Sequence, residues 1–219
     1  MKEIKVVSFD LDGTLTDSSF ANSVWLEAIP KLYATKNKIS INLAKREVFN
    51  NYNKIGNEKL EWYNITFWLE RFNLDIAPKE LIYSCKNKIC LFDDVTPILN
   101  KLKSRKRLII ISNARREFVD LEIKQTEIGN YFEKIFSATS DFNSTKNVPK
   151  VYSNICKICK VSPSEMVHIG DDYKFDFEVP SKLGINSLFL DRKAIEKRKF
   201  VVKSLDEISI KIQKNKFNN

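Results

Sequence analysis

The sequence of 219 residues has only five glycines, four cysteines and one histidine. Neither G-x-G-x-x-G nor G-x-x-x-x-G-K occurs, which argues against a nucleotide-binding loop, and no G-x-S-x-G motif supplies a serine nucleophile. Four cysteines at this length are too sparse for a disulfide scaffold. No stretch approaches the roughly 18 consecutive apolar residues of a membrane span. The first residues lack the apolar core of a signal peptide, so we expect a cytoplasmic protein.

Two features that look like ligand motifs have a simpler interpretation. Cys156 and Cys159 form a C-x-x-C pattern, but the apolar residues around them recur at helical spacing. Buried thiols on a helix are therefore favoured over a metal or redox site. His168 stands between Val167 and Ile169 in an apolar run, which favours a hydrogen-bonded core histidine over a general base.

The net charge of +9 raises the question of a nucleic-acid partner. Residues 191–219 contain nine Lys or Arg and four Asp or Glu, so this segment carries +5 of the total. No aromatic-interleaved basic motif accompanies the charge. We therefore expect a solvated basic face that helps to attract anionic substrates, with no nucleic-acid partner and no membrane contact.

Short apolar runs alternate with amphipathic stretches along most of the chain. Strands are predicted at 4–9, 107–112, 134–137, 166–169 and 187–190, and helices at 97–104, 115–128, 149–160 and 172–183. Apolar strands that alternate with helices indicate a parallel sheet covered on both faces. The predicted fold class is a doubly wound, Rossmann-like α/β domain.

Residues 18–92 break this alternation, because helical periodicity dominates and no run resembles a buried strand. All three tryptophans of the chain fall there. We predict a core domain made of residues 1–17 and 93–219, and an inserted helical cap domain of residues 18–92. The candidate specificity residues of the cap are Asn53, Lys54, Asn57, Trp62 and Trp68.

The first chemical motif, D-x-D-G-T, begins where the first predicted strand ends. Asp10 and Asp12 are two residues apart, so in an extended segment both carboxylates can address one point. Gly13 permits a tight turn, and Thr14 offers a hydroxyl group. Such a pair suits a nucleophile, a nearby general acid or base, and a divalent metal ion.

A hydroxyl, an amide and an ammonium group follow in later loops. Ser112 and Asn113 come directly after the apolar run 108–111 and can hold phosphate oxygens without adding charge, although the same pair is also typical of a helix N-cap. Lys146 precedes the predicted helix start at Pro149 and can neutralise a transferring phosphoryl group. Lys150 is the rival lysine.

Three carboxylates lie close together after the predicted strand 166–169. Asp171, Asp172 and Asp176 provide the hard oxygen ligands that Mg²⁺ prefers. Asp171 is nearest to the strand end and is the best ligand candidate, while Asp176 can hold waters or orient Lys146. An alternative explanation is that the helix dipole favours acidic residues at the N-terminus of the predicted helix 172–183. That effect accounts for one aspartate but poorly for three.

Taken in order, D-x-D-G-T, S-N, a following lysine and G-D-x-x-x-x-D resemble the haloacid dehalogenase superfamily, and the match spans residues 10–176. The helical insert is similar to the type 1 caps of the phosphatase branch. The third motif departs from the usual Lys-Pro-x-Pro, because this chain has Lys146-Asn147-Val148-Pro149.

The resemblance implies specific roles for these residues. Asp10 would attack phosphorus and form an aspartyl-phosphate, and Asp12 would protonate the leaving group and then activate water. Mg²⁺ would be bound by the carboxylates of Asp10 and Asp171 and by the main-chain carbonyl of Asp12. Ser112 and Lys146 would bind the phosphate, helped by amides near Leu11 and Asn113, while Asp172 and Asp176 would support the metal site. Which aspartate beside Asp171 completes the metal shell stays open.

The expected activity is Mg²⁺-dependent hydrolysis of a small phosphorylated metabolite by a monomer or homodimer. A 2-haloacid dehalogenase is the main rival, but that branch needs no metal and typically lacks the second aspartate, here Asp12. The sequence also leaves open a phosphomutase, phosphonate cleavage with a cap lysine, and a non-catalytic basic binding protein. It does not identify the substrate.

Overall fold

Six parallel strands form one sheet in the computed structural model, which describes residues 2–193, 195 and 198–213. The spatial order is β3-β2-β1-β4-β5-β6. The strands are β1 (Val6–Phe9), β2 (Arg107–Ser112), β3 (Lys134–Ser137), β4 (Met166–Gly170), β5 (Asn186–Leu190) and β6 (Val201–Val202). The predicted parallel α/β fold is confirmed.

Helices cover both faces of this sheet, which explains why apolar residues of one strand point to both faces rather than alternating with exposed polar residues. They are α6 (Val95–Lys103), α7 (Arg116–Thr126), α8 (Ala138–Asp141), α9 (Pro149–Ile158), α10 (Val179–Lys182) and α11 (Asp206–Gln213). Val7 of β1 packs with α6, α7 and α11 on one face. Val6 packs with α9 on the other face. Neighbouring residues of one strand thus enter opposite cores.

A helical insert lies between β1 and β2, as the sequence predicts. Its helices are α1 (Ser19–Asn22), α2 (Ile29–Asn37), α3 (Ile41–Ile55), α4 (Ile65–Arg71) and α5 (Pro78–Ser84), with a π-helical segment (Ser23–Ala28) joining α1 to α2. The insert has its own apolar core around the fully buried Trp68. Phe118 of α7 belongs to the same cluster, so the insert packs against the core domain there.

The two connections between insert and sheet run side by side. Thr16 and Leu91 form an antiparallel bridge. The Asp17 amide donates to the Cys90 carbonyl at 2.9 Å, and the Phe92 amide donates to the Leu15 carbonyl at 3.1 Å. The insert therefore leaves and rejoins the core at adjacent points. The exact domain boundaries at 17/18 and 92/93 stay a prediction.

The hydrophobic periodicity of the sequence did not reveal one very short helix and the shortest strand of the core. Helix α8 has four residues and β6 has two, which is too short for a pattern to show. Part of the basic segment 191–219 lies outside the described residues. Among the described residues, no helix is long and apolar enough to cross a membrane.

Candidate active site

A cavity of about 280 Å³ opens at the carboxyl ends of β1, β2 and β4, between the sheet and the helical insert. The carboxyl ends of parallel strands are where open α/β sheets bind their ligands. The cavity is lined from the core side by Asp10, Asp12, Ser112, Asn113, Lys146, Asp171, Asp172 and Asp176. Eight of the nine candidate site residues predicted from the sequence thus meet at one place, and Thr14, the ninth, is buried beside Asp171.

Asp10 extends β1 by one residue, because its amide donates to the Ile169 carbonyl of β4 at 2.8 Å. The chain then turns through Gly13, which has a φ of +81°. A Cβ atom at that position would lie 2.2 Å from Oδ2 of Asp171. The glycine is required both by the backbone conformation and by the close approach of the carboxylate. Asp10 and Asp12 then line the same cavity.

Lys146 joins two buried carboxylates. Its Nζ donates to Asp10 at 2.5 Å and to Asp176 at 2.6 Å, and it also reaches the Ile111 carbonyl at 3.3 Å. The lysine is only 2% exposed. Burial disfavours the ammonium, but Asp10 and Asp176 outweigh it and raise the pKa of Lys146 well above its usual value. Lys146 therefore supplies a fixed positive charge at the cavity floor.

His168 is held below this ion pair, fully buried. Its Nε2 lies 2.9 Å from Asp176, and its Nδ1 is hydrogen bonded to the Ser8 hydroxyl. Burial lowers the pKa of His168, so the ring is neutral at neutral pH. Since a carboxylate only accepts, Nε2 carries the proton and Nδ1 accepts from Ser8. The predicted hydrogen-bonded core histidine is confirmed, and this one orients Asp176.

Asp176 has both oxygens engaged. One accepts from Lys146 and His168, and the other accepts from the Asp172 amide at 3.1 Å. Burial opposes ionisation, but the charge of Lys146 and the hydrogen bond from His168 lower the pKa of Asp176 to about 2. The Asp172 side chain accepts from the Phe175 amide at 2.8 Å and so caps the following helical turn.

The negative charges of Asp10 and Asp171 are less well stabilised by their neighbours than that of Asp176. Burial raises the pKa of Asp10 well above its usual range, despite Lys146, and Asp176 and Asp171 add to the rise. Asp171 as a residue is exposed at the rim, yet its carboxyl group is largely enclosed. That desolvation and the charge of Asp176 raise its pKa to about 7. Oxygens from Asp10, Asp171 and Asp176 lie within 4.8 Å of one another, a spacing that can hold a metal ion.

Asp12 and Thr14 occupy the turn above these carboxylates. Burial raises the pKa of Asp12 to about 6, so its protonated form is populated near neutral pH. The Thr14 hydroxyl lies 3.5 Å from Asp171, and the Thr14 carbonyl accepts from Arg192 at 2.8 Å. Arg192 also pairs with Asp94 at 2.9 Å and so ties this turn to the chain just beyond the insert.

Ser112 and Asn113 complete the core side of the cavity. The Ser112 hydroxyl accepts from the Ala114 amide at 3.0 Å, as in a helix cap. The Asn113 side chain accepts from the Lys146 amide at 2.8 Å and donates to the Tyr63 hydroxyl at 3.1 Å. Asn113 therefore links the lysine loop to the helical insert.

The insert closes the cavity from above with Trp25, Asn57, Trp62 and Tyr63. The Tyr63 hydroxyl donates to the Asn57 carbonyl at 2.9 Å. The adjacent Glu58 makes an ion pair with Lys174 and accepts from Asn147 at 3.3 Å. The segment 57–63 is thus attached to the core on both sides of the cavity.

Several lining residues were not found from the sequence. Trp25, Arg115 and Phe118 line the cavity, although each sits in an ordinary helical pattern. Of the predicted cap candidates, Asn57 and Trp62 line it as expected. Neither Asn53 nor Lys54 lines it, and Trp68 was a wrong candidate, because its side chain is fully buried in the core of the insert.

The two cysteines flagged in the sequence lie far from this chemistry. Cys156 and Cys159 are buried free thiols in the core beneath the sheet. Burial raises the pKa of Cys156 to about 11, which keeps it protonated and unreactive. The prediction of buried helical thiols is confirmed.

Comparison with known proteins connects this geometry to a family. A family model described as haloacid dehalogenase-like hydrolase matches residues 4–184. GMP/IMP nucleotidase YrfG of Escherichia coli is 24% identical over 185 residues, covering 84% of this chain and 81% of that protein. Human N-acylneuraminate-9-phosphatase is 22% identical over 209 residues, covering 85% and 82%.

Two solved structures share the fold. A HAD phosphatase from Thermococcus onnurineus superposes with a TM-score of 0.85 at 22% identity, covering 98% of this chain and all of that one. A 2-haloacid dehalogenase from Pseudomonas syringae has a TM-score of 0.70 at 18% identity, covering 97% and 99%. The fold alone therefore does not choose between phosphate and halide chemistry.

Proposed function

The chain belongs to the haloacid dehalogenase-like hydrolases, and from that membership we propose that it is a Mg²⁺-dependent phosphatase acting on a small phosphomonoester through an aspartyl-phosphate on Asp10. The observation that carries the proposal is the convergence of Asp10, Asp12 and Lys146 on one cavity at the strand ends. The curated relatives named above act on small phosphorylated metabolites, which supports the same substrate class here.

The donor set fits Mg²⁺. Asp10 and Asp171 offer carboxylate oxygens, the hard ligands this ion prefers. Burial, and then the negative charge of Asp176, raises the pKa of both groups. Asp176 is the poorer ligand, because Lys146, His168 and the Asp172 amide already occupy its oxygens. When bound, the ion would neutralise the phosphate oxygens and the carboxylates around them.

In the first step Asp10 forms a bond to phosphorus while the ester P–O bond breaks. Lys146 fixes one oxygen of Asp10 and adds a positive charge beside the phosphoryl group. The leaving oxygen takes a proton from Asp12, whose raised pKa near 6 keeps enough of the acid form available. Ser112 and Asn113 would hold the phosphate oxygens.

In the second step the Asp12 carboxylate takes a proton from water. The hydroxide formed attacks phosphorus, the bond to Asp10 breaks, and inorganic phosphate leaves. The same two aspartates thus return to their initial protonation states. Burial of Asp10 and Lys146 strengthens these charge interactions.

The dehalogenase alternative needs a nucleophilic carboxylate but neither Asp12 nor a metal ion. Both Asp12 and the Asp171 cluster line the cavity here. That arrangement favours phosphate chemistry. The cytoplasmic location, the absence of a nucleic-acid partner and the oligomeric state stay predictions.

The test is hydrolysis of p-nitrophenyl phosphate by the purified protein with Mg²⁺ and after EDTA treatment. We expect EDTA to abolish turnover, Asp10→Asn to reduce it by more than about 10³-fold, and Asp12→Asn by about 10²-fold or more. Lys150→Met serves as a control that should stay close to wild type, because Lys150 is exposed on α9. Full activity of Asp10→Asn, or metal-independent halide release from 2-haloacids, contradicts the proposal.

A further inference from the structure

A second cavity of about 340 Å³ lies in the helical insert beside the active-site cavity. We call it the aromatic groove; it is lined by Asn22, Trp25, Leu26, Phe49, Tyr52, Asn53 and Trp62. Trp25 and Trp62 also line the cavity that contains Asp10. The groove therefore adjoins the active site on the cap side, and the two indole rings form the boundary between the two cavities.

The wall shared by the two cavities is held in place. The Trp25 ring stacks on Phe118 of the core, with centroids 5.5 Å apart and planes 15° apart. Tyr52 contacts Trp25 edge-on at 6.2 Å and Trp62 at 5.9 Å, and its hydroxyl donates to the Trp25 carbonyl at 3.1 Å. These contacts fix two indole rings before any ligand arrives, which reduces the entropy lost on binding.

The groove differs in chemistry from the cavity below it. Asn22 and Asn53 are its polar lining residues, and no charged side chain of the described residues lines it. A second phosphate or a carboxylate would find no cation there. A sugar with many hydroxyl groups would leave most of them without a partner, which is unfavourable. A flat apolar ring with a few polar edge atoms fits this lining.

Among the described residues, neither Asn22 nor Asn53 has a side-chain hydrogen bond to another part of the protein, and both are exposed at the groove. A carboxamide carries a donor and an acceptor side by side, the pattern that pairs with the edge of a nucleobase. Aromatic side chains stack on bases with little dependence on their identity.

We propose that the aromatic groove holds the base of a nucleoside monophosphate whose phosphate is bound at Asp10 and Lys146. This inference rests on the phosphatase function proposed above and specifies its leaving group as a nucleoside. The sugar would cross the boundary formed by Trp25 and Trp62. The base would stack against the indole rings, with its edge toward Asn53.

The test compares two ribose 5-phosphates, of which one carries a base at C1 of the sugar and the other a hydroxyl group. With Mg²⁺, we expect kcat/KM for inosine 5′-monophosphate to exceed that for ribose 5-phosphate by about tenfold or more, because base stacking contributes on that scale. Trp62→Leu should lower kcat/KM for inosine 5′-monophosphate more than that for ribose 5-phosphate, and so remove most of this preference. Trp62→Phe, which keeps a ring, should restore much of it.

A matched control and a binding measurement make the result independent of turnover. Tyr83→Leu replaces an aromatic residue of the insert that is 55% exposed and outside the groove, and it should keep the full preference. Calorimetric titration of the Asp10→Asn protein should give a lower Kd for inosine 5′-monophosphate than for ribose 5-phosphate.

The outcomes separate the two proposals. Equal kcat/KM for both substrates, or equal Kd values with the Asp10→Asn protein, overturns the nucleoside assignment while p-nitrophenyl phosphate turnover still supports the phosphatase. A base preference that survives in folded Trp62→Leu protein also overturns it. If the wild-type protein hydrolyses none of these phosphate esters but still binds inosine 5′-monophosphate with a lower Kd than ribose 5-phosphate, the result supports base binding in the groove and contradicts the catalytic proposal.

Discussion

The core end of the cavity, formed by Asp10, Lys146 and Asp176, and its cap end, formed by Trp25 and Trp62, are held by different forces. At the core end, charged side chains are buried and fixed by direct hydrogen bonds of 2.5 to 2.6 Å. At the cap end, neutral aromatic rings are half-buried and fixed by packing. A charge network tolerates little displacement, whereas an aromatic wall accepts different ligands of similar shape.

This contrast predicts that substitutions at the core end lower turnover of every substrate alike. Substitutions at the cap end should instead change the relative preference between substrates. The Trp62 variants described above test the cap end. The following variants test the core end and its connection to the insert, from the largest expected effect to the smallest.

Lys146→Met should have the largest effect, because it leaves Asp10 and Asp176 buried without their cation. We expect kcat to fall by about 10²- to 10³-fold for all substrates. Without metal, breaking the buried pair should also lower the free energy of unfolding by about 3–5 kcal/mol. Urea unfolding in EDTA and steady-state kinetics on two unrelated phosphomonoesters measure both.

The loss of unfolding free energy caused by Lys146→Met should depend on pH. In the wild type, Lys146 and His168 hold the pKa of Asp176 at about 2, below its ordinary 3.8, so its contribution is present above about pH 4 and is lost as the pH falls toward 2. Without the lysine, the buried carboxyl groups favour their protonated forms. The destabilisation of Lys146→Met should therefore be larger at pH 8 than at pH 5, and an equal loss at both contradicts this account.

His168→Ala should have an intermediate effect. His168 touches Asp176 rather than the cavity, so it is a positioning residue for Lys146. Loss of such a supporting group typically lowers activity by about 10- to 100-fold. We expect the loss in kcat with little change in KM, and partial rescue by His168→Asn.

The control for this variant is Val167→Ala, on the same buried strand but with its side chain in the core that contains α6, α7 and α11. Both variants should lose stability, since both remove buried atoms. A similar fall in kcat for the two would mean that His168 acts through packing alone.

Glu58→Gln should have the smallest effect. Glu58 joins the insert to the core through Lys174 and Asn147, but both partners of the ion pair are about half exposed. Exposed ion pairs contribute little, so we expect kcat/KM within about twofold of the wild type at low salt and no difference at high salt. A tenfold loss would show that this contact controls closure of the insert. Lys182→Gln, in an exposed ion pair with Glu178, is the matched control.

The core end could be predicted from the sequence, because its residues follow strands. Asp10, Ser112 and Asp171 are each marked by an apolar run that ends at a polar residue, and parallel strand ends meet at one edge of a sheet. Lys146 could be predicted as a site residue only from its position in the order of the motifs. The contacts through which His168 and Asp176 hold this lysine depend on side-chain packing, which periodicity does not encode.

The cap end could not be predicted in the same way. Trp25, Trp62 and Trp68 look alike in a helical pattern, yet Trp68 fills the core of the insert while the other two face the cavity. Which face of a helix meets the core domain depends on how the insert docks, and Phe118 in α7 takes part in that docking. The burial of Glu122, in the core domain, could not be predicted from the sequence either. It is fully buried beneath Thr16, and burial, together with Asp12, raises its pKa well above the usual value.

The antiparallel bridge between Thr16 and Leu91 has a consequence for the history of such a protein. Because the chain enters and leaves the insert through neighbouring residues, the sheet needs nothing from the insert to stay continuous between β1 and β2. A different helical segment joined at the same two points would preserve strand order, register and the positions of Asp10 and Asp171. Recombination or duplication at this junction can thus exchange the part of the molecule that we propose recognises the substrate, while the proposed reacting groups are inherited unchanged.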